Sequence, residues 1–197
     1  MIAEEASQPE ATSFVRWYCN ARRSPRNASS RKLRPMTTSE IRVIDAEPEQ
    51  PDYVATFLRT SGAECAFIEC YTARATPILL AELERAGKKP EDVRYVVVTH
   101  AHLDHAGGAG TLMQACPNAT LLAHPRAARH LIDPTKLVAS ATAVYGEETF
   151  ARVYGEITPI PKERVRVLED GETFEGGGEP LRAVHTLGRA RHPCAVT

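Results

Sequence analysis

The chain has 197 residues, 43% of them hydrophobic, enough for one domain with a substantial core and cramped for two. A formal net charge of -1 and a pI near 6.7 exclude a global electrostatic pull toward nucleic acid or an anionic membrane. Nothing approaches the roughly 18 consecutive apolar residues of a spanning helix, the N-terminus lacks the apolar centre of a signal peptide, and the five cysteines form no C-x-x-C pair, which fits a reduced, cytoplasmic protein.

Residues 1–38 differ from the rest. Glu4, Glu5 and Glu10 are followed by Arg16, Arg22, Arg23, Arg26, Arg31, Lys32 and Arg34 among serines, asparagine and prolines, with no period long enough to fold alone. From Ala11 to Pro35 the composition is that of a transit peptide or a basic arm; a disordered extension, or a start mis-assigned upstream of Met36, explains the same stretch, and the last reading is preferred. The folded domain is expected over 39–197.

From Ile41 the pattern turns globular. Ile41–Ile44, Tyr53–Arg59 and Cys65–Cys70 read as strands of a meander, with Ser61-Gly62 as a turn. Thr76-Pro77 opens a helix with a hydroxyl cap and a proline at its first position; Ile78, Leu79, Leu80, Leu83 and Ala86 give it an apolar face, and Gly87 stops it. Val93–Val98 has the β-branched and aromatic composition of a buried strand. Strand, helix, strand in that order predicts a βαβ unit with parallel pairing.

Directly behind that strand stands Thr99-His100-Ala101-His102-Leu103-Asp104-His105-Ala106-Gly107-Gly108, three imidazoles and a carboxylate within six residues. A lone histidine here would be a surface residue, but four donors at this spacing point to a metal, because neutral imidazole nitrogen and carboxylate oxygen suit Zn²⁺, Mn²⁺ and Fe²⁺. Residues i and i+2 of an extended backbone share a face, so His100 and His102 are expected to grip one ion, with Asp104 and His105 turned toward a second. Gly107, Gly108 and Gly110 either leave room for a substrate or ease close packing. Thr111–Cys116 reads as a short helix, Ala119–Ala123 as a strand and Arg126–Leu131 as a helix; His124, beside Pro125, reads as a turn or supporting residue and His130 as a surface or packing residue. Residues 133–160 carry Val138, Ala141, Val144, Tyr145, Phe150 and Val153 at helical spacing, and Val165–Leu168 and Leu181–His185 are expected strands around turn-rich stretches.

His100-Ala101-His102-Leu103-Asp104-His105 resembles the H-x-H-x-D-H signature of the metallo-β-lactamase fold superfamily. The resemblance implies an α/β fold, the αββα sandwich, covered here over about residues 40 to 197 and incomplete at its C-terminus. It implies a small-molecule substrate, two bound metals (zinc, with manganese or iron as alternatives) at His100, His102, Asp104 and His105, and hydrolysis of an ester, thioester, lactone or related bond by a metal-bound hydroxide. Asp104 is the expected catalytic residue. Insertions such as 133–160 often form one wall of the substrate pocket in that superfamily; core-packing helices are the competing account.

Two departures bear on activity. His185-Thr186-Leu187-Gly188-Arg189 resembles the family's second metal segment, H-T-P-G-H, but an arginine, a permanent cation without a free lone pair, stands where the ligand histidine is expected; His185 or His192 would have to substitute. Glu69-Cys70-Tyr71 stands where many relatives carry an aspartate, a small residue and glycine. A catalytically impaired relative with weak or no metal binding is therefore the alternative reading, and exposed sheet edges are expected to favour self-association.

Overall fold

The computed structural model describes residues 39–47, 49–176, 180–186 and 194–197. The expectations for 1–38, Arg189 and His192 lie outside the described residues. A six-stranded sheet has the order β1 (Glu40–Asp45), β2 (Ala55–Ser61), β3 (Glu64–Ile68), β4 (Val93–Val98), β5 (Thr120–Ala123), β6 (Val165–Val167). The first three strands are the expected antiparallel meander, and β3 through β6 run parallel. Helix α1 (Thr76–Arg85) makes the crossover from β3 to β4.

The central strands read as unbroken apolar runs because both of their faces are covered. Cys65, Phe67, Val96, Val98, Leu121 and Ala123 pack into one core with Leu79 and Leu83 of α1, Leu112 and Met113 of α3 (Ala109–Ala115) and Leu131 of α4 (Pro125–Ile132). The alternate residues Ala66, Tyr95, Val97 and Leu122 face a second core with Phe174, Ala183 and Cys194. Those last three belong to an antiparallel sheet of β7 (Thr173–Glu175), β8 (Pro180–His185) and β9 (Cys194–Val196). The described residues thus supply a helical layer and both β layers of the αββα sandwich.

Several boundaries differ from the sequence reading. Tyr53 and Val54 precede β2, which runs on to Ser61. Thr76 is the first residue of α1 rather than its cap: a 3-10 turn at Ala73–Ala75 leads into the helix and Ala75 holds the cap position without a side-chain bond. Helix α3 starts at Ala109, and α2 (Leu103–Ala106) occupies what read as a turn. Strands β7 and β9 were not expected. At three residues each they carry too little sequence for a period of two to show, and their burial against the first sheet makes them strands. The stretch 133–160 is a helix pair, α5 (Thr135–Tyr145) and α6 (Glu147–Tyr154), broken at Gly146, which takes φ 79°.

Of the two readings of the glycine-rich turn, close packing is what the structure contains. A Cβ on Gly108 would lie 2.5 Å from the Thr72 carbonyl oxygen, and one on Gly110 2.0 Å from that of Thr158. The backbone bearing the histidines is thereby pressed against the segment after β3 and the connector before β6.

Candidate metal centre

The parallel sheet delivers the histidine turn from the C-terminal end of β4, where open α/β sheets place their sites. Beyond Val98 the chain bends at Thr99 and Ala101, is extended at His102 (φ -63°, ψ 143°) and then winds into α2, whose first turn carries Asp104 and whose last carries His105. The rings of His100 and His102 lie 4.7 Å apart by centroid and those of His100 and His105 4.1 Å. Both other imidazoles of the motif therefore stand next to His100. The Asp104 carboxylate reaches the same cluster, with Oδ2 3.6 Å from His105 Nε2.

What holds the rings comes from outside the motif. Glu69, 6% exposed, places Oε2 2.8 Å from His105 Nδ1, while its Oε1 accepts the Thr99 backbone N–H at 2.8 Å. With the proton of His105 on Nδ1 and donated to Glu69, Nε2 carries the lone pair. Thr99 Oγ1 lies 2.8 Å from His100 Nδ1 and anchors that ring. His100 Nε2 is then a buried atom without a hydrogen-bond partner. Burial first, then the neighbouring His105, pushes the His100 ring down to about 4, so it is neutral at ordinary pH.

Backbone strain is concentrated at the same place. Glu69 and Tyr71 take φ of 64° and 55°, the left-handed region that favours glycine. The segment is locked by Glu69 N–H to Val97 O at 2.8 Å, Cys70 N–H to His105 O at 3.1 Å and Gly108 N–H to Tyr71 O at 2.8 Å. The Cys70 thiol also points at His105 O, at 3.2 Å. Tyr71 donates its hydroxyl to Glu47 Oε2 at 2.6 Å. The Glu69-Cys70-Tyr71 segment thus packs against the histidine turn, with the Glu69 carboxylate contacting Thr99 and His105 at once. Its position at the end of β3, next to the strand that ends in the histidines, was the signal in the sequence.

The donor set suits a divalent ion: a buried lone pair on His100 Nε2, a second on His105 Nε2 close to a carboxylate oxygen, and supporting bonds on the far nitrogens, as metal-binding histidines require. As the side chains stand, no group of three or more His, Cys, Asp or Glu among the described residues closes on one point that could hold an ion. The arrangement is a gathering of ligands short of a formed coordination sphere.

The second histidine pair lies at neighbouring strand ends. His124 follows β5 and caps α4, its Nδ1 accepting Arg126 N–H at 3.0 Å, and its ring packs 4.3 Å from that of His185 at the end of β8. His185 Nε2 lies 2.9 Å from Leu168 O. Each of the two rings thus has one nitrogen at hydrogen-bond distance from a backbone atom. His130 sits in the last turn of α4.

An aromatic wall stands beside the cluster. Arg74 ties the loop after β1 to α6 through Glu49 Oε1 at 2.9 Å and Arg152 O at 2.8 Å. The rings of Tyr145 and Tyr154 lie 5.8 Å apart, and those of Phe150 and Tyr154 5.4 Å. Burial, then the Tyr145 hydroxyl, and further down the Asp104 charge push the Tyr154 phenol up to about 12.

A mixed sheet between helices and a smaller sheet, with imidazoles and a carboxylate gathered at one strand end, defines a metallo-β-lactamase fold. The profile of the metallo-beta-lactamase superfamily matches residues 41–197, and the chain belongs to that superfamily. A metallo-beta-lactamase fold-containing protein of Sulfurisphaera tokodaii is 33% identical over 106 residues, 52% of this chain and 40% of that protein. Among solved structures, MEM-A1, a subclass B3 metallo-beta-lactamase from a soil metagenome library, superposes with a TM-score of 0.58 at 22% identity, over 81% of this chain and 54% of its own. The MIM-2 metallo-beta-lactamase gives a TM-score of 0.56 at 27% identity, over 73% of this chain and 49% of its own. The chain therefore spans about half the length of these solved structures and less of the curated relative.

Proposed function

We propose that the protein is a metal-dependent hydrolase of esters, thioesters, lactones or related bonds, acting through His100, His102, Asp104 and His105. The observation that carries this reading is the way Glu69 and Thr99 engage the Nδ1 atoms of His105 and His100, leaving a buried, partnerless Nε2 on His100 inside a cluster of imidazoles. A core histidine serving only packing would have both nitrogens satisfied.

In this reading the three imidazoles and Asp104 hold one or two ions, with zinc the first expectation and manganese or iron the alternatives. When bound, such ions supply Lewis acidity toward the carbonyl and lower the pKa of water to near neutrality. Glu69 and Thr99 fix the ring orientations and keep the ligating nitrogens unprotonated. Asp104, on the partly exposed side of the cluster, takes the proton of the attacking water and passes it to the leaving group. Tyr145 and Tyr154, whose rings lie 5.8 Å apart, offer an apolar surface for the acyl or leaving portion of a small substrate. The cysteine pattern, five cysteines without a C-x-x-C pair, supports a reducing, cytoplasmic setting.

One competing reading, an impaired relative, is supported by Arg189, which stands where the resemblance to the family's second metal segment implies a ligand histidine. Elemental analysis of the purified chain separates the two. Bound zinc that is lost in His102→Ala, together with turnover of a lactone, thioester or aryl ester by the parent, supports the hydrolase. No metal in the parent refutes it, and metal without turnover of any such substrate supports the impaired relative. Arg189→His raises metal content if the arginine is what limits it.

A further inference from the structure

Strand β1 is the outer strand of the six-stranded sheet, and its outer edge has no strand partner among the described residues. Its six residues pair with β2 in unbroken register, without the proline or bulge that commonly blunts an edge. The other outer strand of that sheet, β6, has only three residues, with Arg166 tied to Glu172. Ile41 and Val43, on one face of β1, are 61% and 68% exposed.

The direction of the free backbone groups follows from the ladder. Ala46 N–H donates to Val54 O at 2.9 Å, so hydrogen-bonded pairs fall at the even positions of β1, and the N–H and C=O of Ile41, Val43 and Asp45 point away from β2. These are the residues that also expose apolar side chains at 41 and 43.

We propose that β1 is a dimerisation edge and that its partner is a second copy of this chain, paired antiparallel about a two-fold axis through Arg42. In this register Ile41 lies opposite Val43 of the second copy and Val43 opposite its Ile41. Both are hydrogen-bonded pairs, and two apolar cross-strand contacts form on one face. Arg42 meets its own copy on the other face, where each guanidinium already holds Glu40 Oε1 at 3.0 Å. Moving the register two residues toward the C-terminus sets Ile41 against Asp45, and moving it the other way leaves only one apolar pair. A shift by one would turn facing side chains to opposite sides of the sheet. Self-complementarity of the sequence Glu40-Ile41-Arg42-Val43 therefore selects both the partner and the alignment.

Sedimentation equilibrium of the full chain over a wide concentration range tests this. The expected result is a reversible rise from the 21.6 kDa monomer to twice that mass, with Val43→Lys weakening association at least about tenfold. Because residue 43 is exposed on an edge, circular dichroism of Val43→Lys should match the parent. Arg42→Cys tests the register: opposite residues of a non-hydrogen-bonded antiparallel pair have Cα atoms about 4.5 Å apart, within disulfide reach. With Cys19→Ser as the common background, mild oxidation should yield a linked dimer in Arg42→Cys, but none in Glu40→Cys or in the background chain. A monomer at every concentration, association unchanged in Val43→Lys, open-ended aggregation, or crosslinking at 40 in place of 42 would each overturn the proposal.

Discussion

Replacing Glu69 by glutamine tests whether the site is held together by the carboxylate that the structure places beneath it. Glu69 is 6% exposed and accepts two bonds of 2.8 Å, from the Thr99 backbone N–H and from His105 Nδ1. A glutamine of the same shape offers one oxygen and one NH₂: with the oxygen on the Thr99 N–H, the NH₂ faces His105 Nδ1, which either stays an opposed donor or gives its proton to Nε2, the nitrogen needed for the metal. An orphaned buried donor costs about 1–3 kcal/mol, a sizeable share of the roughly 5–15 kcal/mol that holds a domain together. Urea unfolding of metal-free protein should show a lower midpoint with an unchanged slope, since only stability is altered. The same change loosens the His105 ring, and zinc affinity, read by competition with a chromogenic chelator, should fall about 10–100-fold, the range seen when a ligand histidine loses its carboxylate. Glu69→Gly separates strain from support: it relieves the φ of 64° yet removes both acceptors, so it too should lose affinity. A Glu69→Gln protein with the parent's urea midpoint and zinc affinity would refute the reasoning, because the two bonds would then contribute nothing to site or fold.

Gly110→Ala puts a methyl 2.0 Å from the Thr158 carbonyl oxygen; overpacking of this kind costs about 1–3 kcal/mol or more, and the melting temperature should drop by about 2–4 °C per kcal/mol. Arg164 donates to the Met113, Cys116 and Ala119 carbonyls at 2.7–2.8 Å and so closes the C-terminal end of α3. Arg164→Lys, which cannot fork between them, should destabilise by about 1–2 kcal/mol in a urea titration. Burial pushes the Cys65 thiol up to about 12 and the Cys116 thiol up to about 11. Both thiols should therefore stay protonated and escape alkylation at pH 8 in folded protein, as peptide mapping would show, and label once urea is added.

The histidine turn was legible in the sequence because its ligands are neighbours in the chain: four donors in six residues need no tertiary information to be seen together. The same holds for β4, whose Val-Arg-Tyr-Val-Val-Val run, buried except at Arg94, is covered on both faces, and for the parallel crossover through α1, which follows from strand, helix, strand in order. Glu69 was the residue most misjudged. It lies 36 positions from His105, and only the parallel pairing of β3 with β4 brings the two strand ends side by side. The glutamate at this position read as a departure from the family pattern, yet its carboxylate contacts both Thr99 and His105.

By itself the sequence determined which residues could bind a metal and which segments form the central sheet, since both are written in adjacent or periodic positions. The tertiary structure decided which side chains hold those ligands, why Gly108 and Gly110 tolerate no Cβ, that three-residue stretches at 173–175 and 194–196 are strands, and that β1 presents its apolar face to solvent. The physical reason is one of distance along the chain: hydrogen bonds and close contacts between segments tens of residues apart leave no local period, and become visible only when the sheet has set its strands in register.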